Sequence, residues 1–326
     1  MDFELSDDQL ALRSAARDLL DHHASSARVR AVVNQGGGVD AKLWQAMVEQ
    51  GWPGIAVPED AGGVGLGFVE AVVLLEEVGA HVAPAPVLEA IVASDALPSL
   101  GDTIVCLGWS GAREVVPFAP DATVAVVVRE GALVMGAVGG IGAEPAMDVT
   151  RSMAWLDPAT VDGDVIGDAD AVTRYLDRGT TAYAAELLGA SQRMLDVTVQ
   201  YAKDRVQFDR PIGSFQAVKH RCADMLVDVE GMRSAVYWAA WCIEAGHPDA
   251  SVAASTAKVW CTDAARRVMG SALQVHGGIG FTWEHDVHLY LKRAHLDGLR
   301  FGDATFHRSR LAALLRARVD AGESVL

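Results

Sequence analysis

A mainly α-helical fold with a small β insert is predicted, and three observations predict it. The first hundred residues and everything beyond about residue 171 carry apolar side chains at helical spacing. Between them lie short β-rich runs, TIVCL, TVAVVV and ALVMGAV, divided by Gly, Pro and Asp. In Ser214 to Ala245 the positions Phe215, Val218, Cys222, Met225, Val229, Met232, Val236, Ala239 and Ile243 alternate steps of three and four, a heptad seam that wants a helix bundle. The divisions that follow are a helical domain over 1–101, a β segment over 102–170 and a helical bundle over 171–326.

Ser6-Asp7-Asp8-Gln9 reads as a capping box opening a helix whose apolar face is Leu12, Ala16, Leu19 and Leu20. Helical patterns follow over Ala41–Gln50, Phe68–Gly79 and Pro86–Leu97, interrupted by the Gly- and Pro-rich loop GWPGIAVPEDAGGVGLG. After the β runs come patterns over Thr173–Asp204, Ala250–Gln274, Asp286–Asp297 and Ala304–Val319, with Ser214 positioned to cap the seam helix.

Composition narrows the function. The 326 residues are 51% hydrophobic and 21% charged, which a disordered or fibrous chain is not, and the net charge is −16. An acidic surface repels nucleic acid and anionic lipid, so a phosphate-bearing ligand has to be met by a few placed arginines. No apolar run approaches the roughly 20 residues of a membrane span. The acidic start MDFELSDDQL is unlike a signal peptide. Cys106, Cys222, Cys242 and Cys261 lack metal-ligand spacing and read as buried thiols, so a reducing cytoplasm is expected. Nucleophile and phosphate-loop motifs (GxSxG, HExxH, GxxxxGK[ST]) are absent.

Two loops join long helices and carry groups suited to phosphate. In DRVQFDRPIGSFQ, Asp204 to Gln216, Arg205 ends one helix beside the start of the next, an anion cradle or simply a helix cap. In QVHGGIGFTWEHDVHLYLKRA, Gln274 to Ala294, Gly277, Gly278 and Gly280 follow a helix rather than a strand, which excludes a Rossmann fingerprint and leaves close backbone approach or a helix C-cap. His285, His288 and His295 lack the partners of a zinc site and read as packed or solvated, and Trp238 and Trp241 as packing on the seam helix.

RVQFDRPIGSFQAVKH and the glycine motif, in this order and about 70 residues apart on bundle helices, resemble the acyl-CoA dehydrogenase family. The amino-terminal helix and the loop after Gly51 are weaker matches, and the resemblance covers about three quarters of the chain. It implies an α-helical domain, a middle β-domain and a four-helix bundle that mediates tetramer assembly. It further implies that Arg205, Gln207 and Phe208, with Gln274, Gly277 and Gly278, hold the pyrophosphate and adenine end of a neighbouring subunit's FAD. The electron acceptor would be an electron-transferring flavoprotein.

The departures are as informative. The family's usual proton-abstracting glutamate falls at Phe301, and its alternative position at Gly179; neither can take a proton. Asp177 and Asp303 lie nearby and read as helix-capping acids. The middle segment lacks the family's Thr-Glu-Pro and Gly-Ser-Asp element, and GIGAEPAMD, Gly140 to Asp148, stands in the wrong surroundings to replace it. This combination resembles the short partner subunits of heterotetrameric (α2β2) acyl-CoA dehydrogenases from steroid-degrading bacteria, with FAD shared at the subunit boundary. A self-sufficient homo-oligomeric flavin dehydrogenase using a base such as Asp303, and a non-redox acyl-CoA-binding or scaffold protein, are the alternative expectations.

Overall fold

The computed structural model describes residues 4–98 and 100–324. Helix α1 (Asp7–His23) starts on the expected capping box, with Ser6 Oγ accepting from Gln9 N and the Gln9 side chain accepting from Ser6 N. Helix α2 (Ser26–Asn34), which the sequence reading did not mark, buries only Val29 and stops at the Gly36–Gly38 run. Asp40 caps α3 (Ala41–Glu49) through the amides of Lys42 and Leu43. Helix α4 (Phe68–Ala80) is nearly all buried, and α5 (Val87–Ala93) is completely so but shorter than Pro86–Leu97 promised.

The β segment contains two small sheets. Strands β1 (Val105–Gly108), β3 (Val124–Arg129), β4 (Ala132–Ala137) and β6 (Asp162–Gly167) form one in the order β1-β3-β4-β6, parallel only between β1 and β3. Strands β2 (Glu114–Pro117) and β5 (Met153–Leu156) pair antiparallel, Glu114 opposite Leu156. Cys106, Val116, Ala125, Val127, Ala154 and Leu156 build a core of their own between the sheets.

Helix α6 (Ala169–Asp204) runs unbroken for 36 residues and starts earlier than expected, on Asp168, whose carboxylate accepts from the amides of Asp170 and Ala171. A short hairpin, β7 (Val206–Gln207) and β8 (Arg210–Pro211), turns at Phe208 and Asp209, both left-handed at φ 54° and 62°. A pair of positive φ values is what a two-residue turn matched to strand twist requires. Helices α7 (Gln216–Glu244) and α8 (Ala250–His276) pack on α6, and α9 (Val287–Leu299) and α10 (Ala304–Asp320) pack on α8. The heptad seam of α7 is buried from Met225 to Ala239, whereas Val218 and Cys222 stay partly open. Ser214 does not cap α7: it lies in a 3-10 turn, and Phe215, which has no side-chain acceptor, occupies the cap position.

Glycines let the two halves approach. A Cβ on Gly189 of α6 would overlap the Glu76 carbonyl of α4, and one on Gly79 would overlap the Glu186 backbone. Glu76, buried, then accepts from Arg233 of α7 and from Tyr237 Oη at 2.7 Å, with Arg13 of α1 as a third partner at 3.5 Å. Glu244 closes the same joint from below, accepting the Val69 amide at 2.9 Å and so capping α4 from the far end of α7. Among the described residues no helix is long and apolar enough to cross a membrane.

Candidate functional site

Helix α6 carries a position of interest at each end. Near its start, Gly179 and Phe301, the two positions at which the family resemblance places a base, face one another. The Phe301 ring fills the volume a Gly179 side chain would need. Phe301 is fully buried, and its backbone lies in the left-handed region at φ 54°, uncommon for a residue of its size. Its ring centroid lies 5.1 Å from that of Tyr175, 5.7 Å from Tyr183 and 6.4 Å from Trp109. Tyr175 Oη donates to the carbonyl of Gly108 or of Val126, each at 3.2 Å, so the aromatic box is tied to β1 and β3. Burial holds both tyrosine hydroxyls protonated, well above their ordinary pKa. The four rings of the box carry no carboxylate themselves, and Tyr183 Oη donates to the buried Glu89 at 3.1 Å.

The neighbouring carboxylates are committed elsewhere. Asp303 caps α10, accepting from Phe306 N at 2.8 Å, as expected. Asp177 is not a cap: it lies inside α6, paired with Arg310 at 2.7 Å and accepting from Ser251 Oγ at 2.6 Å. Behind the box lies a buried ionic network that no local sequence pattern announces. Arg151 reaches from the β segment to Glu186 of α6 and to Asp297 of α9, the latter at 2.7 Å. Asp148 of GIGAEPAMD pairs with fully buried Arg293 at 2.8 Å. Arg300 bonds Glu114 at 2.6 Å and the carbonyls of Val115 and Leu107. Burial pushes Glu89 up despite nearby Arg151, whereas Asp148 is held low because Arg293 and Arg151 outweigh its own desolvation. These pairs fasten the β segment to the helices, and each pairs residues more than 30 positions apart, beyond any sequence pattern.

At the other end of α6 stand the two loops. Arg205, Gln207, Phe208, Gln274 and Gly278 are exposed and Gly277 half-exposed. Tyr201, one turn before Arg205, stacks on His276, the residue before Gly277, with centroids 4.4 Å apart, so the loops share one end of the bundle. Among the described residues Arg205 has no ion pair, the Phe208 ring is 85% exposed, and nothing lies within 4 Å of a Cβ built on Gly277 or Gly278. Gly277 has φ 63° and ψ −141°, a conformation reserved for glycine. A free guanidinium, open backbone and a largely exposed aromatic ring, edge-on to Phe215 at 6.0 Å, fit the diphosphate and base of a dinucleotide. Along α6, the 26 residues from Gly179 to Arg205 correspond to about 39 Å.

The histidines make no metal centre: His285 packs against His276 at 4.5 Å, His288 lies edge-on to Trp283 at 4.6 Å, and no group of three or more potential ligands gathers among the described residues.

Helices, two small sheets and a helical bundle follow one another along the chain, the order that the resemblance to acyl-CoA dehydrogenases implies. Two family models match, the acyl-CoA dehydrogenase N-terminal domain over residues 6–101 and the C-terminal domain over residues 169–315. The chain is 36% identical to the acyl-CoA dehydrogenase IpdE2 of Mycolicibacterium smegmatis, over 95% of this chain and 99% of that one. It is 34% identical to IpdE2 of Mycobacterium tuberculosis, over 96% and 97%. Among solved structures, the Tcur3481-Tcur3483 steroid ACAD G363A variant superposes with TM-score 0.87 at 28% identity, covering 96% of this chain and 99% of that one. The ChsE4-ChsE5 complex of Mycobacterium tuberculosis superposes with TM-score 0.85 at 27% identity, covering 97% and 99%. The chain belongs to the acyl-CoA dehydrogenase family.

Proposed function

We propose that this chain is a base-lacking subunit that completes the FAD site of a full-length acyl-CoA dehydrogenase partner, the pair oxidising an acyl-CoA to its 2-enoyl-CoA. The observation that carries the reading is the contrast between the two ends of α6: the base position is packed shut by Phe301, whereas Arg205 and Gly277-Gly278 are open and unpaired. With about 39 Å of helix between them, the loops reach a neighbour's site more naturally than their own chain's.

In this role Arg205 offers two parallel donors to the cofactor diphosphate, the amides beside Gly277 and Gly278 approach it without a side chain between, and Gln207, Phe208 and Gln274 border its adenine end. Bound FAD would supply the acceptor for the hydride leaving the β-carbon of the acyl-CoA. Proton abstraction falls to a partner carboxylate, since Phe301, Gly179, Asp177 and Asp303 cannot perform it here. The similar ChsE4-ChsE5 structure, a complex of two different chains, supports the pairing, and the steroid named for the Tcur3481-Tcur3483 enzyme supports a steroid-derived acyl group.

The test is bound FAD, read from visible absorbance and released cofactor, for the lone chain and for the chain co-purified with a full-length relative. The expected result is negligible flavin alone, flavin in the complex, and its loss on Arg205→Ala. A lone chain that binds flavin mole for mole, or a complex whose flavin survives Arg205→Ala, overturns the reading.

A further inference from the structure

We infer that Tyr201 and His276 are positioning residues that set the separation of the two cofactor loops; the inference rests on the function proposed above. Tyr201 lies on α6 one turn before Arg205, and His276 is the last residue of α8 before Gly277. Their rings stack nearly parallel, 23° apart with centroids at 4.4 Å, and Tyr201 Oη donates to the His276 carbonyl at 3.5 Å. The orientation of the imidazole is fixed from within α8. Its Nδ1–H donates to the Ala272 carbonyl at 2.8 Å, which leaves Nε2 as the lone-pair nitrogen of the neutral ring, buried and without a partner among the described residues.

His285 packs beside both rings, tilted at 58° with its centroid 4.5 Å from that of His276 and edge-on to Tyr201 at 6.5 Å, while its Nδ1 accepts from Val287 N at 3.3 Å. One cluster of three mutually contacting rings therefore joins the end of α6, the end of α8 and the loop that returns to α9. No other ring stack links the termini of α6 and α8 among the described residues. Arg205 and Gly277 each follow this stack within one helical turn, so their spacing is inherited from ring contact. A diphosphate held jointly by a guanidinium and by backbone amides depends on that spacing, because misplacing one donor forfeits the two-sided grip.

The experiment measures FAD affinity of the complex co-purified with a full-length acyl-CoA dehydrogenase, for Tyr201→Leu and His276→Ala and for the ring-preserving Tyr201→Phe and His276→Phe. The first pair should weaken FAD binding by on the order of tenfold or more, and the ring-preserving pair should restore it to near the parent value. Thermal melts of the same variants separate the two causes: a positioning role leaves the melting temperature near the parent's while FAD binding weakens, whereas a general packing defect lowers both and overturns the inference. If Tyr201→Leu and His276→Ala bind FAD like the parent, or if the phenylalanine variants are equally impaired, the inference is overturned. Should His276→Ala not assemble, Tyr201→Leu against Tyr201→Phe decides by the same criteria. Arg205→Ala run alongside separates the two levels: retained flavin there overturns the proposed function, whereas lost flavin with a parent-like Tyr201→Leu overturns only the positioning role.

Discussion

Phe301 is the residue on which the chemistry turns. Replacing a fully buried aromatic by alanine costs about 3–5 kcal/mol, and Phe301→Ala should lower stability in that range in urea titration, because Tyr175, Tyr183 and Trp109 lose a common neighbour. Phe301→Glu should be at least as destabilising and should not give the lone chain turnover of an acyl-CoA; turnover by that variant would contradict the proposed role. His307 behaves differently with pH. Burial lowers its pKa to about 4, its Nε2 donating to the Phe301 carbonyl at 2.7 Å. The unfolded chain binds a proton near pH 6.5 that the folded chain refuses. The stability held by neutral His307 is therefore complete above pH 6.5 and falls away as the pH drops towards 4, by about 3 kcal/mol. His307→Gln should flatten that acid limb in denaturation measured from pH 7 to pH 4.

At the level of elements, the joint of α4 with α6 and α7 rests on absent side chains and one acquired cap. Gly189→Ala drives a methyl into the Glu76 carbonyl, with no flexible neighbour to yield, and should destabilise the fold by about 1–3 kcal/mol. Glu244→Ala removes the acceptor of the Val69 amide and should cost about 1 kcal/mol; thermal melts of the two variants check both. These elements also mark what a sequence can disclose. The capping box at Ser6 was legible because donor and acceptor are three residues apart, and the 3-4 seam of α7 because periodicity is local. Asp177 was misread as a cap because its partner Arg310 stands 133 positions away, and α2 went unseen because it buries a single valine. The two loops at the far end of α6 were legible through their motif. Their convergence through Tyr201 and His276 was not, since stacked rings 75 positions apart leave no periodic trace.

For the molecule as a whole, the β segment has become a fastened part. Arg151, Arg293 and Arg300 anchor it, or are anchored by it, through buried carboxylates and carbonyls. Removing one partner of such a pair strands a charge in the interior. Arg151→Met should therefore cost about 3–5 kcal/mol and loosen β5 against α9, seen as faster amide exchange around Met153–Leu156 relative to the bundle.

If the proposed pairing holds, the unbroken length of α6 is also a ruler for assembly. A rod with a sealed end and an open end cannot serve itself, so two such chains set head to tail would offer each other two sets of open loops and two sealed boxes. On the reading proposed here, a homodimer of this chain has every means of gripping a flavin's tail and nowhere to put its head. Only a neighbour with an open box makes the exchange productive, and the count of working sites then equals the count of those neighbours.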